Sequence, residues 1–317
     1  MNFRRKRIAL GVFLLLTWLC FWFSYKIFRN LLYEDYPLTD PDLVNITIAK
    51  DSVCQSGTKF AIAIHSAINN TALRQGIRET WGNSSHHGIP VVFIVGLNDN
   101  KDVHDLISLE HSTHGDLVVG DFVDTYRNLT WKHVISLKWF ITYCPSANFL
   151  FKFDDDIFVQ PKKLVSYIES IENKFEKPNI LCDTVLSAEA RRNKKSKWYV
   201  SRKEYRRKFY PTYCNGYAII YPRNAVNFLL RNINDTQFFW IDDAFFTGLL
   251  AAMSNIPRFT EPIFIAPSNA YNLTEINETR LNFIATETFN KRPVGPTQIP
   301  EASVLHHLWE IVNNDQM

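Results

Sequence analysis

The chain contains no C-x-x-C pair, no internal repeat, no low-complexity tract and no excess of basic residues beyond its first seven positions. The missing cysteine pairs remove the usual framework of a structural zinc site. Cys54, Cys144, Cys182 and Cys214 are therefore expected as structural disulfides, and four cysteines allow three pairings that sequence does not distinguish. Cys20 stands apart inside an apolar run, as a small apolar residue or an acylation site. The missing basic excess argues against nucleic-acid binding. Arg4, Arg5, Lys6 and Arg7 account for the formal net charge of +3, and without them 31 basic side chains face 32 acidic ones. A nucleic-acid binder keeps its positive charge in the folded part. With 46% hydrophobic and 14% aromatic residues among 317, a sizeable core is available and global disorder is excluded.

Charge is also absent from Ile8 to Tyr25. As a helix this run reaches about 27 Å, near the thickness of a thin endomembrane bilayer. Trp18 and Trp22 approach its far end, where amphipathic rings settle. A cleaved signal peptide would have a shorter apolar region ending in small residues, whereas this one ends in Phe21-Trp22-Phe23-Ser24-Tyr25. The expectation is an uncleaved signal-anchor: residues 1–7 a cytosolic tail, 8–25 a single transmembrane helix, the remainder luminal by the positive-inside rule. N-glycan acceptor sequons beginning at Asn45, Asn69, Asn83, Asn128, Asn234, Asn272 and Asn277 agree with a lumen. Residues 26–57, with Pro37 and Pro41 and no apolar periodicity, read as a stem, leaving 58–317 as the folded domain.

Within that domain strands are expected at Lys59–Ile64, Val91–Val95, Leu117–Val119 and Asn148–Phe153. Helices are expected at Thr71–Trp81 with Thr71 as N-cap, at Asp102–His111, and at Asn128–Cys144, where Leu129, Val134, Leu137 and Ile141 form the apolar stripe. Pro161 opens a further helix at a position proline tolerates. Alternating strands and helices predict an α/β fold with a mostly parallel, doubly wound sheet, which binds ligands at the carboxyl ends of its strands.

Asp154-Asp155-Asp156 falls at such an end, directly after Lys152 and Phe153. Clustered carboxylates repel one another, and a divalent cation such as Mg²⁺ or Mn²⁺ removes that cost while bridging a diphosphate leaving group. The bland alternative is an acidic loop or cap. Asp242-Asp243 precedes an apolar run of helical length; Asp242 reads as a helix cap, and Asp243 is either a cap or a general base. Arg74 and Arg78 share one helix face, as partners of nearby acids or as phosphate contacts. His306 and His307 are either surface histidines or, one of them, a metal ligand. Arg191–Lys208 holds ten Lys or Arg and one Glu, a solvated loop or a lid over an anionic ligand.

From Lys59 onward the chain resembles the β-1,3-galactosyltransferase family, family 31 of the glycosyltransferases. The family also holds β-1,3-N-acetylglucosaminyltransferases and Fringe-like enzymes. Arg74-Gln-Gly-Ile-Arg-Glu-Thr-Trp81 is similar to its R-x-x-I-R-x-T-W block, and Asp121 to Lys132 to its D-F-x-D-x-Y-x-N-L-T-x-K segment. Cys144 to Val159 follows C-P-x-A…K-x-D-D-D-x-F-V, Tyr210 to Gly216 follows Y-P-x-Y-C-x-G, and Ile241 to Gly248 resembles the E/D-D-V…T-G block. The stretch Asn215-Gly216-Tyr217 is shorter than the family's glycine-rich one.

The resemblance implies a GT-A fold, Mn²⁺ dependence, a UDP-sugar donor and inversion at the anomeric carbon. It makes Asp154 and Asp156 the D-x-D metal carboxylates, Asp243 the base, and one of His306 and His307 a late metal ligand. Arg74, Arg78, Lys152, Asp154 and Asp155 become candidate donor contacts. It also implies a Golgi type II membrane enzyme that adds galactose in β-1,3 linkage to a glycan, glycoprotein or glycolipid. N-acetylglucosamine transfer is the alternative, and a non-catalytic luminal binding protein is the rival class.

Overall fold

The computed structural model describes residues 15–24, 38–98, 100–261, 263–264, 292–295 and 298–314. Of the expected anchor, residues 15–24 form an exposed helix, and the rest of Ile8–Tyr25 lies outside the described residues, as do the cytosolic tail, stem residues 26–37 and the sequons at Asn272 and Asn277. Among the described residues no helix is long and apolar enough to cross a membrane.

The chain winds through β1 (Ile46–Ile48), β2 (Phe60–His65), α1 (Thr71–Glu79), β3 (Val91–Leu97), α2 (Lys101–His114), β4 (Leu117–Val123), α3 (Leu129–Tyr143) and β5 (Phe149–Asp154). It continues through α4 (Pro161–Ser170), β6 (Ile180–Val185), β7 (Tyr213–Pro222), α5 (Arg223–Asn232), the π-helical segment Ala244–Leu250, β8 (Arg258–Phe259) and α6 (Ala302–Asn314). Among the described residues one eight-stranded sheet collects every strand in the order β1-β4-β3-β2-β5-β7-β6-β8. The parallel block β4-β3-β2-β5 is the doubly wound half expected from the alternating pattern. The other half departs from it: β7 runs antiparallel to both β5 and β6. The sheet is mixed because β7 enters straight from the long Arg191–Lys208 segment, with no crossover helix to return the chain to the same end.

Residue size along β2 sets the two faces. Phe60, Ile62 and Ile64 pack into one core with Ile77, Trp81, Leu164 and Leu305. Ala61 and Ala63 face the other core, where their small side chains leave room for Trp139 and Phe140 of α3. The same alternation continues in β5, with Phe151 and Phe153 on the first face and Leu150 on the second. Each buried Phe or Leu is worth roughly 1.5–3 kcal/mol. Lys152 and Asp154 share the parity of Leu150, so they belong to the face covered by α3 and the π-helical segment.

Helix termini differ from the sequence reading in one detail. Asn70, not Thr71, is the N-cap of α1, and the Thr71 hydroxyl accepts a bond from Arg74. Helix α2 starts under an Asn100 cap and ends at Gly115, whose φ of 68° suits a residue without a Cβ. Residues 38–57, expected as stem, belong with the folded domain. From residue 38 the chain is docked on the domain: Thr39 N–H donates to the Thr236 carbonyl, β1 pairs with β4, and Lys138 Nζ donates to the carbonyls of Pro41 and Val44. Cys54, Cys144, Cys182 and Cys214 are all paired. Cys54–Cys144 ties that docked segment to the end of α3, and Cys182–Cys214 bridges β6 and β7.

Candidate active site

At the carboxyl end of β5 the three aspartates point to three tasks. Asp155 turns inward, and its Oδ2 accepts from Ser66 Oγ at 2.7 Å and Asn70 Nδ2 at 2.9 Å. It thereby orders the β2–α1 connection. Asp154 Oδ1 accepts from Lys152 Nζ at 2.6 Å, and burial raises its carboxyl even against that cation. Asp156 is half-buried; burial and then the charges of Asp154 and Asp155 push its carboxyl up to about 7. Three neighbouring carboxylates with Lys152 as their close cation repel one another, and burial adds to that shift.

Lys152 is the pivot of the site. Its ammonium is buried, which by itself lowers the pKa, but the charges of Asp154 and Asp242 hold it above the ordinary lysine value. Besides Asp154, its Nζ donates to the Gly216 carbonyl on β7 at 2.6 Å. Gly216 in turn lies against Asp243: a methyl group placed on it would sit 3.3 Å from both Cβ and Oδ2 of that aspartate. A continuous set of contacts therefore runs from Asp154 through Lys152 and Gly216 to Asp243.

Asp242 and Asp243 open the π-helical segment but face different ways. Asp242 is buried, and its Oδ2 accepts from His133 Nδ1 at 2.9 Å. The other ring nitrogen, Nε2, accepts from the Tyr221 hydroxyl at 3.0 Å, and the ring stacks 4.2 Å from Phe246. Burial lowers the pKa of His133, so the ring is neutral. Burial alone would raise Asp242, but the His133 hydrogen bond and the Lys152 charge hold it below the usual carboxylate range. The cap assignment made for Asp242 thus falls to its neighbour: Asp243 Oδ1 accepts from Ala244 N–H at 2.6 Å. Asp243 is half-buried, and burial and the adjacent Asp242 charge push it up to about 7 against the Ala244 bond and Lys152. Thr247 fixes the segment to β7, donating to the Asp243 carbonyl and accepting from Cys214 N–H. A π-helical widening at a functional position is a recurrent pattern.

Asp243 lines a cavity of about 480 Å³ together with Arg191, Trp198, Tyr210, Tyr213 and Asn215. The Arg191–Lys208 segment is therefore one wall of the site.

Two expected donor contacts are not presented to this space. Arg74 is fully buried and donates to Ser66 Oγ, the Ala67 and Ile68 carbonyls, Thr71 and Glu110. Arg78 is bound to Asp116 and Glu110. Their positions on one helix face are correct, but that face looks at α2 and the start of β4, where the two carboxylates sit. The adjacent histidines also separate. His306 Nε2 pairs with Glu79 at 2.9 Å, whereas the buried Nε2 of His307 has no hydrogen-bond partner. Among the described residues no three His, Cys, Asp or Glu side chains are gathered as a metal shell. The crowded carboxylates of Asp154 and Asp156 are by themselves suitable donors for a hard cation.

Sequence reasoning missed the Asp242–His133–Tyr221 chain, the Lys152–Gly216 bond, and the buried Lys132–Asp124 pair at 2.8 Å that joins α3 to the end of β4. The available signal was polarity out of place. His133 and Lys132 interrupt a helix that otherwise buries Val134, Leu137 and Phe140.

Human N-acetyllactosaminide β-1,3-N-acetylglucosaminyltransferase 2 is 30% identical over 221 residues, covering 68% of this chain and 55% of that protein. This match therefore spans about half the relative's length. Human β-1,3-galactosyltransferase 1 is 27% identical over 238 residues, covering 74% of this chain and 72% of that protein. Among solved structures, S. aureus TarS 1-349 aligns at 15% identity over 80% of this chain and 71% of that one, with a TM-score of 0.36 that is too low to carry an argument. The sequence profile described as Galactosyltransferase matches residues 72–262, a span containing all the aspartates discussed above, and the chain belongs to that family.

Proposed function

We propose that this protein is an inverting hexosyltransferase that moves galactose from UDP-galactose to a sugar hydroxyl in β-1,3 linkage. The observation that carries the reading is the Asp154–Lys152–Gly216–Asp243 contact path, because it joins a cation-seeking carboxylate pair to a carboxyl poised near neutrality. Asp243 takes the proton of the acceptor hydroxyl, whose oxygen attacks the anomeric carbon. The bond from that carbon to the UDP oxygen breaks on the opposite face, and UDP departs with its electron pair. Mn²⁺ held by Asp154 and Asp156 would supply charge neutralisation for the diphosphate. Lys152 keeps Asp154 oriented and fixes its distance from β7. Two disulfides and the sequons support a luminal domain, and the basic residues before the apolar run support a Golgi type II topology.

A second reading has its own support. N-acetylglucosamine transfer appears in the name of the relative at 30% identity, and galactose transfer in that of the relative at 27%. Offering both UDP-sugars at equal concentration with an acceptor panel and Mn²⁺ decides between them by the mass of the product. Absence of any product, with UDP still bound, would favour a luminal binding protein.

The metal arm of the proposal predicts that Asp156→Ala weakens Mn²⁺ and UDP together, because the diphosphate loses its bridging charge. Isothermal titration of each ligand checks this; UDP affinity at the parental value would remove Asp156 from the cation site. Gly216→Ala tests the contact with the base. The new Cβ would lie 3.3 Å from Asp243, so the carboxylate has to yield by a few tenths of an ångström. Misplacement by a full ångström costs about 10²-fold, and a loss of roughly 10-fold in kcat is expected here. Stability should stay within about 1 kcal/mol of the parent. Transfer at the parental rate would mean that Gly216 does not set the position of Asp243.

A further inference from the structure

The Arg191–Lys208 segment is a wall rather than a lid. Arg192 holds it from inside, donating to the carbonyls of Val200, Ser201, Tyr205 and Arg207 at 2.7–2.9 Å. Its two ends are stitched by Ala190 N–H to the Lys208 carbonyl, and Val200 N–H to the Arg191 carbonyl closes its first half. Val200 and Tyr205 are buried in the core. Lys194 and Lys195 lie between the cavity-lining Arg191 and Trp198 on this fixed segment, and Arg202 and Lys203 follow shortly after Trp198. Lys194, Lys195, Arg202 and Lys203 are exposed, as is Arg191 at the cavity wall.

Both glutamates beside this surface are paired, and Asp243 shares the cavity wall with Arg191. Glu189 pairs with Lys208 at 2.8 Å, and Glu204 accepts from Ser201 N–H and pairs with Arg127. Charges of one sign within a Debye length, about 10 Å at 0.1 M salt, add to a field that favours an anion. The donor diphosphate does not account for it. The cavity that Arg191 and Trp198 line contains Asp243, the acceptor-side group, and neither Asp154 nor Asp156 is among its walls. Trp198 is 45% exposed and Lys197 Nζ stands 4.5 Å from its ring centroid, so an apolar platform and a cation meet at the cavity mouth.

We propose that the acceptor is an anionic glycan, with sulfate or carboxylate groups beyond the reacting sugar, read by Lys194, Lys195, Arg202 and Lys203. This rests on the acceptor role given to the Asp243 cavity under the proposed function. The test titrates the full chain, in neutral detergent, with three oligosaccharides of one backbone: sulfated, uronic-acid-containing and neutral. At low salt at least one anionic form is expected to bind about 10-fold tighter than the neutral one, and the gap should close as salt rises. Which anionic form binds identifies the charge that is read. The quadruple variant K194E/K195E/R202E/K203E should erase the gap.

Equal binding of all three oligosaccharides overturns the proposal, as does a preference that survives high salt or charge reversal. Binding to micelles doped with anionic lipid, without discrimination among the oligosaccharides, overturns it in favour of a membrane-facing surface. A parallel transfer assay separates the two readings. Charge-dependent binding with no sugar transferred to any acceptor removes the enzymatic reading and leaves the anion surface standing. Equal binding and equal transfer to neutral and anionic acceptors does the reverse.

Discussion

Replacing Asp243 with Asn is expected to lower transfer by about 10²–10⁴-fold, the contribution of a positioned base, with UDP affinity and folding retained. The retention follows from local geometry. Asp243 Oδ1 accepts from Ala244 N–H, and the amide oxygen of Asn can accept the same bond. The loss follows from the proton. A carboxyl raised to about 7 by burial and by Asp242 is basic enough to take a hydroxyl proton and is still ionised near neutrality. The sign of the pH dependence is fixed by this shift. The base works ionised, so kcat should fall as pH drops below about 7, and a bound cation nearby would move that midpoint downward. The limb due to Asp243 should be missing from the residual D243N rate, leaving only the contribution of Asp156. Early unfolding of D243N, read by thermal melting, would make Asp243 chiefly a cap; turnover at the parental rate would remove it from the mechanism.

The parallel half of the fold was legible because each strand from Phe60 to Phe153 is a short apolar run and each helix between them has either a stripe or a cap. Strand β7 was not. Tyr213–Pro222 follows a long charged segment, and only tertiary pairing with β5 and β6 turns it into the strand that carries Gly216. The aspartates were legible for a different reason: neighbouring carboxylates after an apolar strand need a counter-charge whatever the fold. Their division of labour was not legible. Asp155 and Asp242 differ from Asp156 and Asp243 only in which way each side chain turns, and that depends on Asn70 and His133, which are remote in sequence. The same limit explains Arg74 and Arg78. A helix period places them together, but Glu110 and Asp116, more than thirty residues away, decide that they face inward.

His133→Phe should destabilise the protein by roughly 3–5 kcal/mol, measured by urea unfolding at pH 7, as expected when a buried charged group loses its partner. The ring occupies the centre of three contacts: Nδ1 donates to Asp242 Oδ2, Nε2 accepts from Tyr221, and one face stacks on Phe246. Phenylalanine can keep the stacking but satisfies neither polar group. Parental Asp242 is held below the ordinary carboxylate value, so its contribution is present above about pH 4 and is lost as pH falls further. Without His133 the buried carboxylate loses its donor and its pKa rises, so protonation relieves part of the cost. The difference between H133F and parent should accordingly be smaller at pH 5 than at pH 7. Asp242→Asn is the control: an amide oxygen still accepts from Nδ1–H, so this change should cost much less. The double variant H133F/D242L removes the unpaired carboxylate but leaves the Tyr221 hydroxyl without its acceptor and Lys152 without one counter-charge, so it should recover only part of the H133F loss. If H133F is as stable as the parent at pH 7, the Asp242–His133–Tyr221 chain does not hold the start of the π-helical segment. The position of Asp243 would then have to depend on Thr247 and Gly216 alone.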